Sequence, residues 1–289
     1  YDAASQLVER AYPDGTAATF AYDAVSNRTL MHDATGRYTT AYDSLGLPQV
    51  VAAPSSETIT YTYDLLGRRQ DMTNPDGGRT TYSYDDASRL DHVTNPQAER
   101  TSYIYDVAGR LTLKKLANST RASFTYDDGG NLTSLYNLKS DASVISSFDY
   151  SYDAVGNRTH VAENGGDRVT WTYDATYQLL AECRNGANAY ANTFTYDATG
   201  NRTVKNEDTV RTTSTYDVAN QLNTSVAAAG TTTYTFDADG NQQLVLAPNG
   251  DLTTTTWNYE NQPTKIAFPA GTRATYTYNA DNRRVRKET

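Results

Sequence analysis

The chain has 289 residues, of which 38% are hydrophobic and 11% aromatic, with a formal net charge of −9. That composition holds too much apolar and aromatic material for simple disorder. It lacks the excess positive charge that a nucleic-acid face needs, and no apolar run approaches the ~20 residues of a membrane-spanning helix. A single cysteine, Cys183, leaves no intrachain disulfide framework.

Length alone predicts two domains of ~150 residues, but internal repetition points elsewhere. An aromatic residue followed by Asp or a near-equivalent recurs at Tyr1, Tyr22, Tyr42, Tyr63, Tyr84, Tyr105, Tyr126, Tyr152, Tyr173, Tyr196, Tyr216, Phe236, Tyr259 and Tyr278. These mark fourteen units with spacings between 19 and 26 residues, most often 21. The expectation is a single array over residues 1–289, read as a piece of a longer chain.

In chain order, the first unit closes through Pro13-Asp14-Gly15, a hairpin signal. Phe20 and Tyr22 follow two apart, so a strand puts both rings on one face, and Asp23 opens a turn. Tyr42 repeats the pattern with Thr40 in place of the first ring. Tyr61/Tyr63 lead into Asp64 and Gly67, and Asn74-Pro75-Asp76-Gly77-Gly78 turns the chain back. Tyr82/Tyr84 with Asp85, Tyr103/Tyr105 with Asp106 and Gly109, and Phe124/Tyr126 with Asp127 and Gly130 follow. The next unit is five residues longer than the usual 21, and its surplus around Asn137 to Ser146 is expected to form a longer loop. Then come Tyr150/Tyr152 with Asp153 and Gly156, Trp171/Tyr173 with Asp174, and Phe194/Tyr196 with Asp197 and Gly200. Tyr216 with Asp217 and Asn220 repeats the turn, with Ser214 replacing a ring. Tyr234/Phe236, Trp257/Tyr259 and Tyr276/Tyr278 complete the series.

Each unit thus reads as two strands and two tight turns, with no room for a helix. The Asp side chain can accept backbone N–H bonds as in an Asx-turn. Gly or Asn four residues after the aromatic accepts positive φ at low cost. Thr between the rings suits a strand. The expected fold is all-β: tandem hairpins pairing antiparallel into one long sheet, coiled so that open edges are covered. Its core would be thin and rich in tyrosine, the rings packing on one another and the hydroxyls finding Thr, Asn and Arg.

Tyr152-Asp153-Ala154-Val155-Gly156-Asn157-Arg158-Thr159 and Tyr196-Asp197-Ala198-Thr199-Gly200-Asn201-Arg202-Thr203 resemble the YD repeat of RHS-repeat proteins. Tyr63-Asp64-Leu65-Leu66-Gly67 and Tyr105-Asp106-Val107-Ala108-Gly109 are similar. The resemblance covers the whole chain. It implies a sheet spiralling into a hollow shell. In bacterial members, including the C subunits of insecticidal ABC toxin complexes, that shell encloses a C-terminal toxic cargo; in teneurins a similar barrel serves adhesion. Bacterial toxin members usually carry an Asp-Pro-x-Gly signature and an aspartate autoprotease after the repeats. This chain has no Asp-Pro dipeptide, so no autoproteolytic role passes to its residues.

Other readings are blander. One carboxylate per turn fits capping better than calcium, whose loops cluster several ligands. His32, His92 and His160 stand at unrelated offsets, and Cys183 has no paired base, so neither a metal site nor a nucleophile is expected. The sequons at Asn27, Asn118, Asn131, Asn157 and Asn201 are of no consequence in a bacterial chain. Arg283 to Lys287 reads as a solvated strand end. The function expected is a non-catalytic shell module without cofactor, secreted or at the bacterial surface. Its partners would be a polypeptide cargo or neighbouring repeats of the same chain. The alternative is an adhesion or filament module binding glycan or a cell-surface protein.

Overall fold

The computed structural model describes residues 1–186 and 188–289. Among them the fold is all-β: 27 strands of one sheet and no helix. Strands run mostly five to seven residues, and chain neighbours pair antiparallel, as Thr58–Tyr63 does with Arg69–Thr73, which then pairs with Arg79–Tyr84. Contacts divide the chain into two compact units. The first comprises Tyr1–Ser102, Trp257–Lys265 and Arg273–Thr289; the second comprises Tyr103–Thr256 and Ile266–Thr272.

Two turn sites alternate along the hairpins. At the YD turn, Asp64 N–H donates to the Arg68 carbonyl at 2.9 Å and Gly67 N–H to the Asp64 carbonyl at 2.9 Å. The turn at the far end often closes the same way: Asn74 N–H donates to the Gly78 carbonyl and Gly77 N–H to the Asn74 carbonyl. Both therefore need a left-handed residue just before the return strand. YD turns also leave a register shift in the adjoining ladder, as between Ala21 and Tyr22, Thr62 and Tyr63, and Thr195 and Tyr196. This bulge is what one surplus residue in one strand produces.

The bulge decides which side chains share a face. Tyr61 and Met72 are directly opposed, as are Thr62 and Asp71, so rings and Met72 lie on one face and Thr62 and Asp71 on the other. The ring-bearing positions are half-buried, while the alternating threonines, such as Thr62, Thr125, Thr172, Thr195 and Thr215, are exposed. Only Ala18, Phe20, Met31, Val161, Val169, Phe194 and Ala274 are buried apolar side chains among the described residues. A second layer over either face would bury far more than this.

Three expectations change. The surplus in the long unit does not form a loop: it lengthens the strands to Leu132–Leu138 and Val144–Tyr152, joined by an ordinary tight turn at Lys139–Ser143. Continued pairing satisfies backbone groups that a loop would expose. In the thirteenth unit, the strand ends at Trp257 and Asn258 takes the Asp place, donating its N–H to the Gln262 carbonyl. Tyr259 lies in the turn, 62% exposed, so Trp257 is the repeat aromatic and its spacing to Phe236 and Tyr278 becomes 21 on each side. Finally, ring-on-ring packing is only part of the core: Phe148 and Tyr150 stack at 6.4 Å, but in other units an arginine lies between the rings, as described below.

Candidate functional site

The repeated chemistry of the chain is its YD turn, and the turn is assembled from the aspartate outward. Asp64 Oδ1 accepts from the N–H groups of Leu66 and Arg68, both at 2.9 Å, while Oδ2 accepts from Arg68 Nε at 2.7 Å. Asp85 and Asp106 repeat this with Arg89 and Arg110. Asp23, Asp127, Asp153 and Asp197 use Asn27, Asn131, Asn157 and Asn201 instead, whose Nδ2 groups donate to Oδ2 at 2.8–3.0 Å. Asp174 and Asp217 bond the backbone N–H of Gln178 and Gln221 at 2.9 Å.

Those bonds favour the ionised carboxylate. The residue four positions on holds the Asp23, Asp64, Asp127 and Asp153 carboxyls below their ordinary value chiefly through its side chain. For Asp85, Asp106 and Asp174 its backbone N–H is the leading cause. Asp197 is brought down to about 2 by Thr199 Oγ1 and Asn201 Nδ2.

Glycine is needed three residues after the aspartate, where the chain is left-handed. Gly67, Gly109, Gly130, Gly156 and Gly200 have φ of 74°, 83°, 85°, 91° and 90°. Asn220 fills the same place at 61°, while Ser26, Ser88 and Tyr177 do so at a steric cost that glycine does not incur.

The repeat tyrosine joins one unit to the one before. Tyr63 Oη donates to the Pro48 carbonyl at 2.7 Å, Tyr84 to Arg69 at 2.9 Å, and Tyr126 to Leu111 at 2.9 Å. Tyr22, Tyr152, Tyr173, Tyr196 and Tyr216 donate to Leu7, Leu132, Arg158, Leu179 and Arg202. Each acceptor lies six residues after the preceding unit's aromatic and, apart from Leu7, is the first residue of its return strand. Burial pushes the Tyr63, Tyr84 and Tyr173 phenols up. Tyr105 occupies the same place in its unit, beside Asp106 and Gly109.

Arginines supply a second join that the sequence pattern did not expose. The Arg69 guanidinium lies 4.6 Å from the Tyr61 ring and 5.8 Å from the Tyr82 ring, bridging successive units. Arg158 sits likewise between Tyr150 at 4.7 Å and Trp171 at 5.7 Å. Arg68 and Arg110 lie over the next unit's Tyr84 and Tyr126. A planar cation over a ring face is attractive and hides the ring from water.

In the first unit, contacts also link residues some 250 positions apart. Arg28 donates to both carboxylate oxygens of Asp281 at 2.7 and 2.6 Å. Arg10 reaches Glu260 at 3.2 Å, and Ala280 N–H donates to Asp33 Oδ2 at 2.6 Å. Ala280 packs against the buried cluster Ala18, Phe20 and Met31. A cavity of about 140 Å³ lies beside these contacts, lined in part by Tyr12, Asp14, Thr35, Asn258 and Tyr278. In the second unit, Arg184 binds Glu163 through two 2.7 Å bonds and Asp167 at 2.9 Å, and Tyr190 donates to Glu182. The Tyr190 phenol is thereby pushed up to about 12.

Among the described residues, no three His, Cys, Asp or Glu side chains converge as a metal cluster. His92 bonds Asp91 at 2.7 Å, His160 bonds Ser151 at 3.1 Å, and His32 is exposed, so the structure does not bring the histidines together.

A family model for the RHS repeat matches residues 1–38, 42–79 and 105–137. These segments are RHS repeats. The matched segments contain the Asp23, Asp64 and Asp106 turns. Comparison with curated proteins finds no match. Among solved structures, the chain is similar to the crystal structure of TcdB2-TccC3 (TM-score 0.56, 14% identity, 96% of this chain and 23% of that one). It is similar as well to the crystal structure of TcdB2-TccC3-TEV (TM-score 0.56, 14% identity, 93% and 20%). At that identity the likeness is one of fold, and the chain spans about a fifth of the length of those chains. Within these bounds it is a structural repeat module: its recurrent side chains join strand to strand and unit to unit.

Proposed function

We propose that this array is a stretch of the wall of an RHS shell that encloses a polypeptide, in a secreted or surface-exposed bacterial protein longer than the chain described here. The observation that carries the reading is the single-layer sheet, joined at most units by the tyrosine hydroxyl and the aspartate turn. Such a sheet spends its recurrent residues on its own continuity. A wall needs that continuity more than it needs a cleft. The fold likeness to TcdB2-TccC3 supports the same reading.

The proposed mechanism is mechanical. Antiparallel pairing from each strand to the next satisfies backbone groups that a protease would otherwise bind in extended form. The bonded turns remove the flexible loop tips where nicking usually starts. A polypeptide behind such a wall would be kept from proteases and from its own targets until released. No catalytic role is assigned to any residue.

The test is limited proteolysis of the full-length protein that carries this array. The reading expects the enclosed polypeptide to survive a protease dose that digests it once the shell is unfolded in denaturant. Equal digestion of that polypeptide in the native and unfolded protein would overturn it.

A further inference from the structure

The cavity of about 140 Å³ in the first unit is lined by carboxylates and rings and by no cationic side chain. Asp14, Asp33 and Glu260 supply three negative charges, and Tyr12, Tyr259 and Tyr278 supply the rings. Arg10 reaches Glu260 Oε1 at 3.2 Å without lining the cavity, so it offsets one of the three. Asp14 is held by Thr16, and Asp33 by Thr35 and the Ala280 N–H, none of which carries a charge. The Thr16 hydroxyl also holds the Asp14 carboxyl below its ordinary value, so this carboxylate is ionised at neutrality.

A buried donor faces the same space. Asn279 lines the cavity and is 7% exposed. Its Oδ1 accepts from the N–H groups of Asp281 and Arg283 at 3.1 and 3.0 Å, while its Nδ2 has no partner. The reason is the residue four positions on. Asn258 Nδ2 donates to Gln262 Oε1 at 2.9 Å, but Arg283 carries no acceptor for Asn279. Among the described residues, the sole unpartnered side-chain atom sealed from solvent is Arg184 Nε. Asn279 Nδ2 therefore opens on free space, and the cavity is the space that its residue lines. Tyr278 departs from its series at the same place: its hydroxyl does not donate to the Pro263 carbonyl, six residues after Trp257.

Elsewhere the chain shows which group suits a carboxylate and a ring together. Arg68 Nε donates to Asp64 Oδ2 at 2.7 Å while its guanidinium lies 4.6 Å from the Tyr84 ring. Arg110 repeats this between Asp106 and Tyr126. The cavity offers carboxylates, rings and a buried donor, so its ligand combines a cation with a hydrogen-bond acceptor. A neutral hydroxylated molecule would cover Asp14 and Asp33 without a counter-charge, and an anion would be repelled. The volume of about 140 Å³ is several times the ~30 Å³ share of a water, the scale of one side chain. We propose that the cavity binds the guanidinium and adjoining carbonyl of an arginine, either free or within a polypeptide. The cation meets Asp14, Glu260 and the tyrosine rings, and the carbonyl accepts from Asn279 Nδ2.

Saturation-transfer-difference NMR on the full-length protein that carries this array tests the site, with N-acetyl-argininamide, L-arginine and methylguanidinium as probes. N-acetyl-argininamide is expected to bind with a dissociation constant on the order of 1 mM, and L-arginine more weakly because its carboxylate meets the acidic lining. The reverse order would assign the site to the free amino acid and uphold the guanidinium chemistry. The double variant Asp14→Asn/Glu260→Gln keeps an acceptor for Thr16 and for Arg10, and should raise both constants about tenfold or more. Asn279→Asp gives this turn the pairing seen between Asp64 and Arg68, so it is expected to fold. It removes the Nδ2 donor, and N-acetyl-argininamide should then lose its advantage over methylguanidinium, which has no acceptor. An unchanged far-ultraviolet spectrum would verify folding of each variant. Absence of binding by both arginine probes at about 10 mM would overturn the proposal, as would equal binding by the parent and the Asp14/Glu260 variant. Binding of glucose in place of the arginine probes would overturn it as well.

Discussion

At the residue scale, the tyrosine hydroxyl and the aspartate carboxylate each have a repeated partner, so each can be tested where the pattern holds and where it lapses. Tyr63→Phe removes the bond to the Pro48 carbonyl and should cost about 1 kcal/mol in urea unfolding, the net worth of a partly solvated hydrogen bond. Phe236 lacks the hydroxyl. The series places the Leu222 carbonyl, six residues after Tyr216, opposite it. Phe236→Tyr should therefore stabilise by roughly 0.5–1.5 kcal/mol, and destabilisation in the same assay would contradict the series. The turn carboxylates set the pH response. The folded values of Asp64, Asp106, Asp153 and Asp197 among them lie below the unfolded one, so their stabilisation is present above the ordinary aspartate range. It is lost as pH falls through the folded values, down to about 2 for Asp197. Melting temperature should hold steady near neutrality and decline on acidification below about pH 4. A profile flat to pH 2 would contradict the bonded turn. Asp64 and Gly67 could be placed in a turn from spacing alone, because the turn is local. Arg69 could not: its place is taken by Leu111, Leu132 and Leu179 in other units, and its ring partners lie across strands.

At the element scale, the hairpin is governed by the left-handed residue before each return strand. Tyr177 holds φ 65° while 60% exposed, so it contributes strain without much packing. Tyr177→Asn should stabilise by about 0.5–1 kcal/mol in chemical denaturation, since Asn tolerates this conformation and already serves at Asn220 and Asn282. Gly36 tests the reverse. Its φ is 123°, and a Cβ there would stand 2.5 Å from Pro54 Cβ. Gly36→Ala should destabilise by more than the ~1 kcal/mol of backbone cost alone. The strands themselves were legible because a period of two shows in Tyr61/Tyr63 and Phe194/Tyr196. The thirteenth unit was misplaced because Tyr259 also follows Trp257 at two residues, and aromatic spacing cannot distinguish a strand position from a turn tip. Asn258 could: Asn accepts the same turn bonds as Asp, and its offset to Asn261 is the one seen from Asp217 to Asn220.

At the scale of the whole molecule, the long-range contacts of the first unit carry the next prediction. Arg28–Asp281 and Arg10–Glu260 join residues about 250 positions apart, and no local period could reveal them. Asp281→Asn should raise hydrogen exchange in Ala17–Tyr22 and Arg28–Asp33, and leave Arg79–Tyr84 unchanged. A uniform change across all three strands would instead mean that the contact is not local to these repeats. The all-β sheet was legible because every unit repeats its strands and turns. The proposed enclosing role was not, because side chains that join strand to strand do not say what lies against the sheet. The most direct measurement is cryo-electron microscopy of the native, full-length protein at a resolution that traces the sheet. The account predicts a closed hollow particle with polypeptide density inside. A continuous fibre, or a barrel filled by its own side chains, would contradict it.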